Sequence, residues 1–563
     1  MPASDPVGFA PADWLLAFLA AFFILAAFVW SPRLQRAVTA LAERTRRCML
    51  LLFLLPIALR LLLLPHHPVP TPEIYDEFSH LLAADTLLHG RLANPPHPLH
   101  QFFETFFELQ QPTYSSIYPL GQGIVLALGR VVSGVPWTGV LLVTGAFCAL
   151  CYWMLHAWVT PAWALLGGTL AVIEFGPLSQ WMNSYWGGAL AATAGCLVFG
   201  ALPRLREQWR SRDAVLLGIG FAMHMLTRQF ESLLLFLAVA LFLAPSFFRR
   251  QDWPGLLRVS SLALAAVLPV IALILLQNKA VTHSWTMLPE QLSQYQYGVP
   301  TSLTIEPNPV PHLPLTPQQE LDYKAQALMH GSGTDTLSKF LLRLEYRVRY
   351  CRFFFVPPLY IALIAFFFAL REKRLFWVAA ALAIFALGTN LFPYLLVHYL
   401  AAVTCLFVLV SIIGLQQLGR LRIRGMHVGF EIVRVLVLLC LAEFAVWYAL
   451  HLFESPAAYP VLQYETWDSI NHNNPRRRIE VRSQLAAISG QLLVFVHYSP
   501  RHVYQDEWVW NAADIDASRI VYARDLGAEN EKLIRYFPNR KILLLEPDED
   551  PPSISPVIRT GEQ

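Results

Sequence analysis

Long apolar runs alternate with polar interruptions along this chain, and the runs have the length of membrane helices. Thirteen stretches, near 13–31, 49–65, 116–133, 138–158, 162–178, 186–202, 213–228, 231–247, 257–277, 353–371, 375–392, 395–414 and 430–452, qualify as helical membrane segments, since about 20 apolar residues suffice to cross the hydrocarbon. They are too continuous for barrel strands, and outside a closed barrel only a helix satisfies so much backbone within lipid. The pattern predicts an α-helical polytopic membrane protein with about 12–13 membrane segments. Residues 13–31 lack a preceding basic stretch and a small-residue cleavage site, which predicts a retained helix rather than a signal peptide.

Three polar regions interrupt or follow this pattern: 66–115, 278–352 and everything after about 453. In the first, Phe78, Leu81, Leu82, Leu87 and Leu88 recur at helical spacing and predict a short helix, with Glu77 at its start and Asp76 at the cap position. In the second, Pro300 to Pro317 contains six prolines and cannot be helical. From Thr336, Lys339, Arg343 and Arg347 recur every four residues opposite Phe340, Leu341, Leu344 and Val348, predicting a membrane-surface helix that attracts anionic headgroups. The tail reads as strands at 491–498, 519–527 and 541–547 with a helix at 528–537. The expected organisation is a membrane body over 1–452, with external loops 66–115 and 278–352, and a small separate α/β domain over 453–563.

Composition agrees with a membrane body: the chain is 55% hydrophobic and 14% charged. A net charge of +3 is too small, and its basic residues too scattered, to point to nucleic acid. The seven cysteines show no zinc or disulfide spacing. Arginine sets the expected orientation. Arg33, Arg36, Arg44, Arg46 and Arg47, then Arg204 to Arg212, Arg249-Arg250, Arg371 to Arg374 and Arg420 to Arg424, mark short cytoplasmic loops. The three polar regions then fall on the other side. Four full crossings between 116 and 202 would break this count, so one segment there is expected to be interfacial or re-entrant; 116–133, with Gly121-Gln122-Gly123 and Arg130, is the candidate.

The Asp76-Glu77 pair stands just outside the membrane at the start of the first loop. Two readings of Asp76 stand. It caps the following helix, which aspartate does well, or it carries chemistry. The loop holds Glu73, Asp76, Glu77, Asp85, Glu104 and Glu108 against Arg91, and its Phe102, Phe103, Phe106, Phe107, Tyr114 and Tyr118 let it lie along the interface at headgroup level.

A membrane helix leading into Asp76-Glu77, a short amphipathic helix, a Gly90 to Pro95 stretch and a Pro-x-Tyr segment (Pro112 to Tyr114) entering a multi-helix body resemble the GT-C glycosyltransferases. Protein O-mannosyltransferases and bacterial lipid A aminoarabinose transferases look nearest, and the resemblance is strongest over about 50–240. It implies that Asp76 acts as general base or otherwise activates the acceptor, with Glu77 as the adjacent carboxylate. It further implies a sugar donor on polyprenyl phosphate, a glycan, lipid or protein acceptor, inversion at the anomeric carbon, and a site on the non-cytoplasmic face of a bacterial plasma (inner) membrane. No metal or other cofactor is expected.

Such chemistry asks for a base and for a cation to meet the departing phosphate. Arg228, at the outer turn of MHMLTRQFESLLLF with Glu231, suits the second task, because guanidinium binds phosphate through a planar fork. The alternative is an Arg228–Glu231 ion pair that fixes the turn. Asn183 and Tyr185 in SQWMNSYWGGAL form a polar cluster ahead of Gly187-Gly188, read either as a sugar site or as an aromatic belt. No Asp or Glu lies between Phe175 and Arg206, so Glu174 would have to supply any second carboxylate from this region. Lys279 and Tyr295, with His283 and Tyr297, are placed to stack on or bond a sugar, and are equally ordinary interfacial residues. His398-Tyr399 stands near the outer end of its helix, as a phosphate partner or as helix-packing polar groups. A transporter or flippase would show inverted repeats with helices broken at mid-membrane, and none is evident; a non-catalytic scaffold would have no need to bring Asp76 and Arg228 together.

Overall fold

The computed structural model describes residues 20, 22–24, 32–331, 335–453, 470 and 476–557. The apolar stretch 13–31 therefore lies mostly outside the described residues. Six described helices have the length and apolarity to cross a membrane: Trp137–Leu155, Ala189–Glu207, Gln229–Phe247, Arg250–Thr282, Val397–Gly419 and Val428–Phe453. A seventh span is formed if Leu337–Phe354 and Pro357–Ala369, bent by 114°, are taken together. Among the described residues the helices of span length are thus fewer than the apolar stretches. Several of those stretches form shorter helices, among them Pro161–Phe175, Ser211–Met225 and Lys373–Thr389. Apolarity along the sequence marks burial in the bundle as readily as exposure to lipid.

The bundle is built by a succession of packed helix pairs, most of them separated in sequence by intervening helices. Thr45–Leu62 packs on Trp137–Leu155, which packs on Ala189–Glu207, followed by Ser211–Met225 and then Trp253–Thr282. Its core joins Phe147, Tyr152, Phe199, Phe385, Leu406 and Leu409, all almost fully buried.

Leu120–Ser133 is a 14-residue helix, about 21 Å long at 1.5 Å per residue and so too short to cross. It lies alongside the first-loop helix Tyr75–Leu88, and Arg130 Nη1 bonds Asp85 Oδ1 at 2.7 Å. Leu128, Val131 and Val132 remain exposed on its other side. The segment that the charge count singled out is thus a short helix.

The three polar regions form one extramembrane layer. A four-stranded sheet runs in the order Ile520–Arg524, Leu492–Val496, Lys541–Glu546, Ser553–Pro556, with the first three strands parallel and the last antiparallel. One face of this sheet shares its hydrophobic core with the first loop: Leu82, Phe102, Phe103 and Tyr114 pack with Leu493, Phe495, Val521, Ala523 and Leu533. Tyr114 donates to the Asn511 carbonyl at 3.0 Å, Trp510 to the Phe78 carbonyl at 3.2 Å, and the Ala513 amide to Asp85 Oδ2 at 2.8 Å. The second loop closes the layer, with Gln319 donating to the Thr105 carbonyl and Tyr297 to Glu104.

The surface helix Leu337–Tyr350 keeps Leu337, Leu341, Leu342 and Val348 exposed. Two of its arginines turn inward, contrary to the expectation that they face headgroups. Arg343 bonds Asp335 and the Asn390 carbonyl; Arg347 bonds Asn390 Oδ1 at 2.7 Å and the carbonyls of Phe392 and Tyr394. The carbonyls of this non-helical loop need donors inside the protein, and the guanidinium fork provides several at once.

Candidate active site

Asp76 lies in the first turn of Tyr75–Leu88 but does not cap it. That task falls to Glu77, whose Oε2 accepts from the Glu73 and Ile74 amides at 3.0 and 3.3 Å. Glu77 Oε1 accepts the Tyr185 amide at 2.8 Å. Both oxygens of Glu77 are thus engaged by backbone, and its carboxylate fixes the helix rather than facing a reactant.

Asp76 is left for another partner. Tyr118 donates its hydroxyl to Asp76 Oδ1, and the Trp186 side chain also reaches the carboxylate. Burial pushes Asp76 up to about 6, while the hydrogen bonds from Tyr118 and Trp186 and the charge of Arg228 hold it from rising further. One helical turn on, His80 stacks on Tyr118 with ring centroids 4.4 Å apart. Burial, helped by Arg228, lowers His80 to about 3, so the ring is neutral. Its Nδ1 is buried without a hydrogen-bond partner.

Arg228 joins this cluster from far along the chain. The Gly121 amide donates to the Leu226 carbonyl at 2.7 Å, which ties the segment carrying Tyr118 to the turn carrying Arg228. A Cβ at Gly121 would meet the Leu226 oxygen at 2.6 Å and Thr227 Cγ2 at 2.5 Å, so only glycine allows this approach. Tyr118 is also held from behind, where Gln277 donates to its carbonyl at 2.9 Å.

Arg228 pairs with Glu231, Nε to Oε1 at 2.9 Å, and its guanidinium lies over the Tyr399 ring at 4.1 Å from the centroid. His398 is buried against Trp186 and Tyr399, at 5.3 and 4.9 Å between ring centroids, with Arg228 and His80 within electrostatic range. The expected pairing of Arg228 with Glu231 is present, and the same arginine is 21% exposed at the side chain against 2% for Glu231. It therefore retains a face that does not meet Glu231.

Two further carboxylates border the site, and the sequence pattern did not single them out. Burial raises Asp322 to about 7, with Asp76 adding to the rise; Tyr75 donates to it at 3.3 Å. Glu290 is raised by burial and drawn back by Arg228. Glu174 does not serve as the second carboxylate. It is buried beside Leu170, Phe354, Leu359 and Ser411, within the bundle.

The remaining sequence candidates divide. Asn183 accepts from Arg60 Nε at 2.6 Å and donates to the Pro177 and Ser179 carbonyls. Tyr185 spends its hydroxyl on the Pro70 carbonyl. Tyr185 also holds the Asp76 helix through its amide to Glu77, while Asn183 ties Arg60 to the Pro177–Ser179 turn. Lys279 is exposed and bonds the His283 carbonyl, and Tyr295, 56% exposed, stacks on His312. Both side chains are thus spent on the solvent side of their helices, Lys279 on His283 and Tyr295 on His312. Among the described residues no group of three or more His, Cys, Asp and Glu side chains is placed to hold a metal ion.

No protein-family model and no curated protein matches the chain. Among solved structures it is similar to ArnT from Cupriavidus metallidurans bound to undecaprenyl phosphate, at 10% identity and a TM-score of 0.49, covering 88% of this chain and 92% of that one. The apo state of the same ArnT matches at 11% identity and a TM-score of 0.48 over the same shares of each chain. The Archaeoglobus fulgidus oligosaccharyltransferase in complex with Zn and sulfate matches at 13% identity and a TM-score of 0.45, covering 89% of this chain and 67% of that one. Both of these neighbours are GT-C glycosyltransferases.

Proposed function

We propose that this chain transfers a sugar from a polyprenyl-phosphate donor to a hydroxyl of a glycan, lipid or protein acceptor, on the side of the membrane opposite its basic short loops. The observation that carries the reading is that Asp76, a buried carboxylate raised to about 6, lies within electrostatic range of the guanidinium of Arg228, itself fixed by Glu231 and Tyr399. A carboxylate of that strength is largely ionised at neutral pH yet basic enough to accept a proton in the transition state.

In this reading Asp76 takes the acceptor's hydroxyl proton as the oxygen attacks the anomeric carbon. The bond from that carbon to the phosphate oxygen breaks, and the polyprenyl phosphate leaves with the electron pair. Arg228, held in place by Glu231 and the Tyr399 ring, meets the charge that grows on the phosphate. Attack from the face opposite the leaving group inverts the anomeric configuration. His80 Nδ1, buried without a partner, is free to accept a hydrogen bond from a sugar or acceptor hydroxyl. Glu77 orients rather than reacts, because the backbone occupies both of its oxygens.

The test is mass spectrometry of envelope glycans and lipids from a deletion strain carrying plasmid-borne wild type, Asp76→Asn or Arg228→Gln. A glycoform lost on deletion should return with wild type alone, while Asp76→Asn accumulates in the membrane at wild-type levels and Arg228→Gln is compared per unit of protein present. Full restoration by Asp76→Asn would reject Asp76 as the base.

A further inference from the structure

At the end of the bundle away from Asp76, one interhelical turn and the ends of two further helices frame a cavity of about 360 Å³. It opens at the turn His156–Thr160, which joins Trp137–Leu155 to Pro161–Phe175. It is closed by the start of Lys373–Thr389 and by the last turn of Thr404–Gly419. Those same helices lead, at their other ends, to Gln180–Asn183, Tyr394 and His398-Tyr399. The cavity and the candidate active site therefore lie at opposite ends of the same rods.

The lining has two characters. Trp158, Leu375 and Ile413 supply apolar wall, while Arg374, Arg420, Gln416 and Gln417 supply donors. The one carboxylate is Glu372, whose contact with Arg374 is 3.3 Å between two half-exposed side chains. Such exposed pairs are weak and exchange readily. Arg420 is tied only to the neutral Gln417, also at 3.3 Å. Arg204 stands behind the wall close enough to act on His156. The site thus has excess positive charge, an apolar side and a volume within the range of small-ligand pockets.

We propose that this cavity binds a phosphate-bearing anion, and that its source is the headgroup of an anionic membrane lipid. Basic pockets between membrane helices recognise lipid headgroups through this combination of a guanidinium pair and adjacent hydrocarbon. The proposal does not depend on glycosyl transfer at Asp76.

The experiment is native mass spectrometry of the full-length protein in detergent, titrated with phosphatidylglycerol or phosphatidylcholine, beside a thermal-shift titration with inorganic phosphate. Wild type is compared with Arg374→Gln/Arg420→Gln and with Arg249→Gln/Arg250→Gln, which removes equal charge from another short loop. The expected result is preferential retention of phosphatidylglycerol, reduced at least fivefold in Arg374→Gln/Arg420→Gln and unchanged in the control. Stabilisation by phosphate alone, lost in the same variant, upholds the anion site and assigns it to a soluble phosphate rather than a lipid. Equal retention of both lipids with no phosphate effect, or equal loss in both double variants, overturns the proposal. Both cavity arginines are near the surface, and an unshifted melting temperature without ligand certifies the fold.

Discussion

Tyr118 donates its hydroxyl to the Asp76 carboxylate, across 42 residues of sequence. The bond favours the ionised acid and opposes the burial that raises Asp76 to about 6. If Asp76 is the base, turnover rises with pH through about 6 and levels off above it, because only the carboxylate accepts the proton. Tyr118→Phe removes the bond and moves that rise upward by about one pH unit. A pH–rate profile of the purified protein measures it, and an unmoved acid limb would show that the tyrosine does not tune the acid.

Asp76→Asn should make the protein more resistant to unfolding while ending transfer. The folded-state value of about 6 lies above the ordinary 3.8, so the fold favours the protonated form. That contribution is complete below the unfolded value and is lost as pH rises through the folded one. The ionised carboxylate costs about 3 kcal/mol above pH 6 by this reckoning. Melting curves should place the variant above wild type at pH 8 and level with it near pH 4. A difference independent of pH would contradict this account.

Arg228 and Glu231 test phosphate binding against simple bracing. Arg228→Gln strands a carboxylate that is 2% exposed, at a cost of about 3–5 kcal/mol. The double variant Arg228→Met/Glu231→Met should regain most of that stability, since it removes both charges. Transfer should stay absent in both. Recovery of transfer along with stability, read by parallel melting and turnover, would mean that the pair only braces its turn.

Gly121→Ala isolates the junction between Tyr118 and Arg228. Its Cβ would press on the Leu226 carbonyl and Thr227, and backbone on both sides leaves little room to yield. Overpacking of this kind costs about 1–3 kcal/mol. The loss of turnover should exceed what the lowered melting temperature accounts for, because the variant drives Arg228 away from Asp76. Proportional losses would argue against a special role for this contact.

Much of this arrangement was legible in the sequence. Asp76 is conspicuous because charge is rare around it, and the alternation of basic loops puts Arg228 at the outer turn. The same reasoning made 116–133 the candidate for an interfacial or re-entrant segment, and the helix there, Leu120–Ser133, is short. The reasoning did not find His80, although the residue lies four positions after Asp76 on one helical face, because the loop holds many histidines and helical spacing alone does not say which face is buried. Asp322 and Glu290 were invisible for a different reason. They arrive on short helices of the second loop, whose path past six prolines no periodicity predicts. Lys279 and Tyr295 show the converse, since chemistry-bearing side chains near a membrane surface point outward as often as in. Among the described residues six helices, or seven elements if the bent pair is one span, have the length and apolarity to cross, fewer than the apolar stretches there, because hydropathy does not separate lipid-facing from protein-facing helices.

The sheet at the end of the chain shares its core with the loop that bears Asp76, and Ala513 bonds Asp85 across 428 residues. During synthesis the loop emerges long before its packing partners exist, an interval on the order of a minute at ordinary elongation rates. Leu82, Phe102 and Phe103 wait uncovered until the sheet has been made. A ribosome that stops before the sheet, or a protease that removes it, would leave a helical bundle whose first loop lacks half of its core.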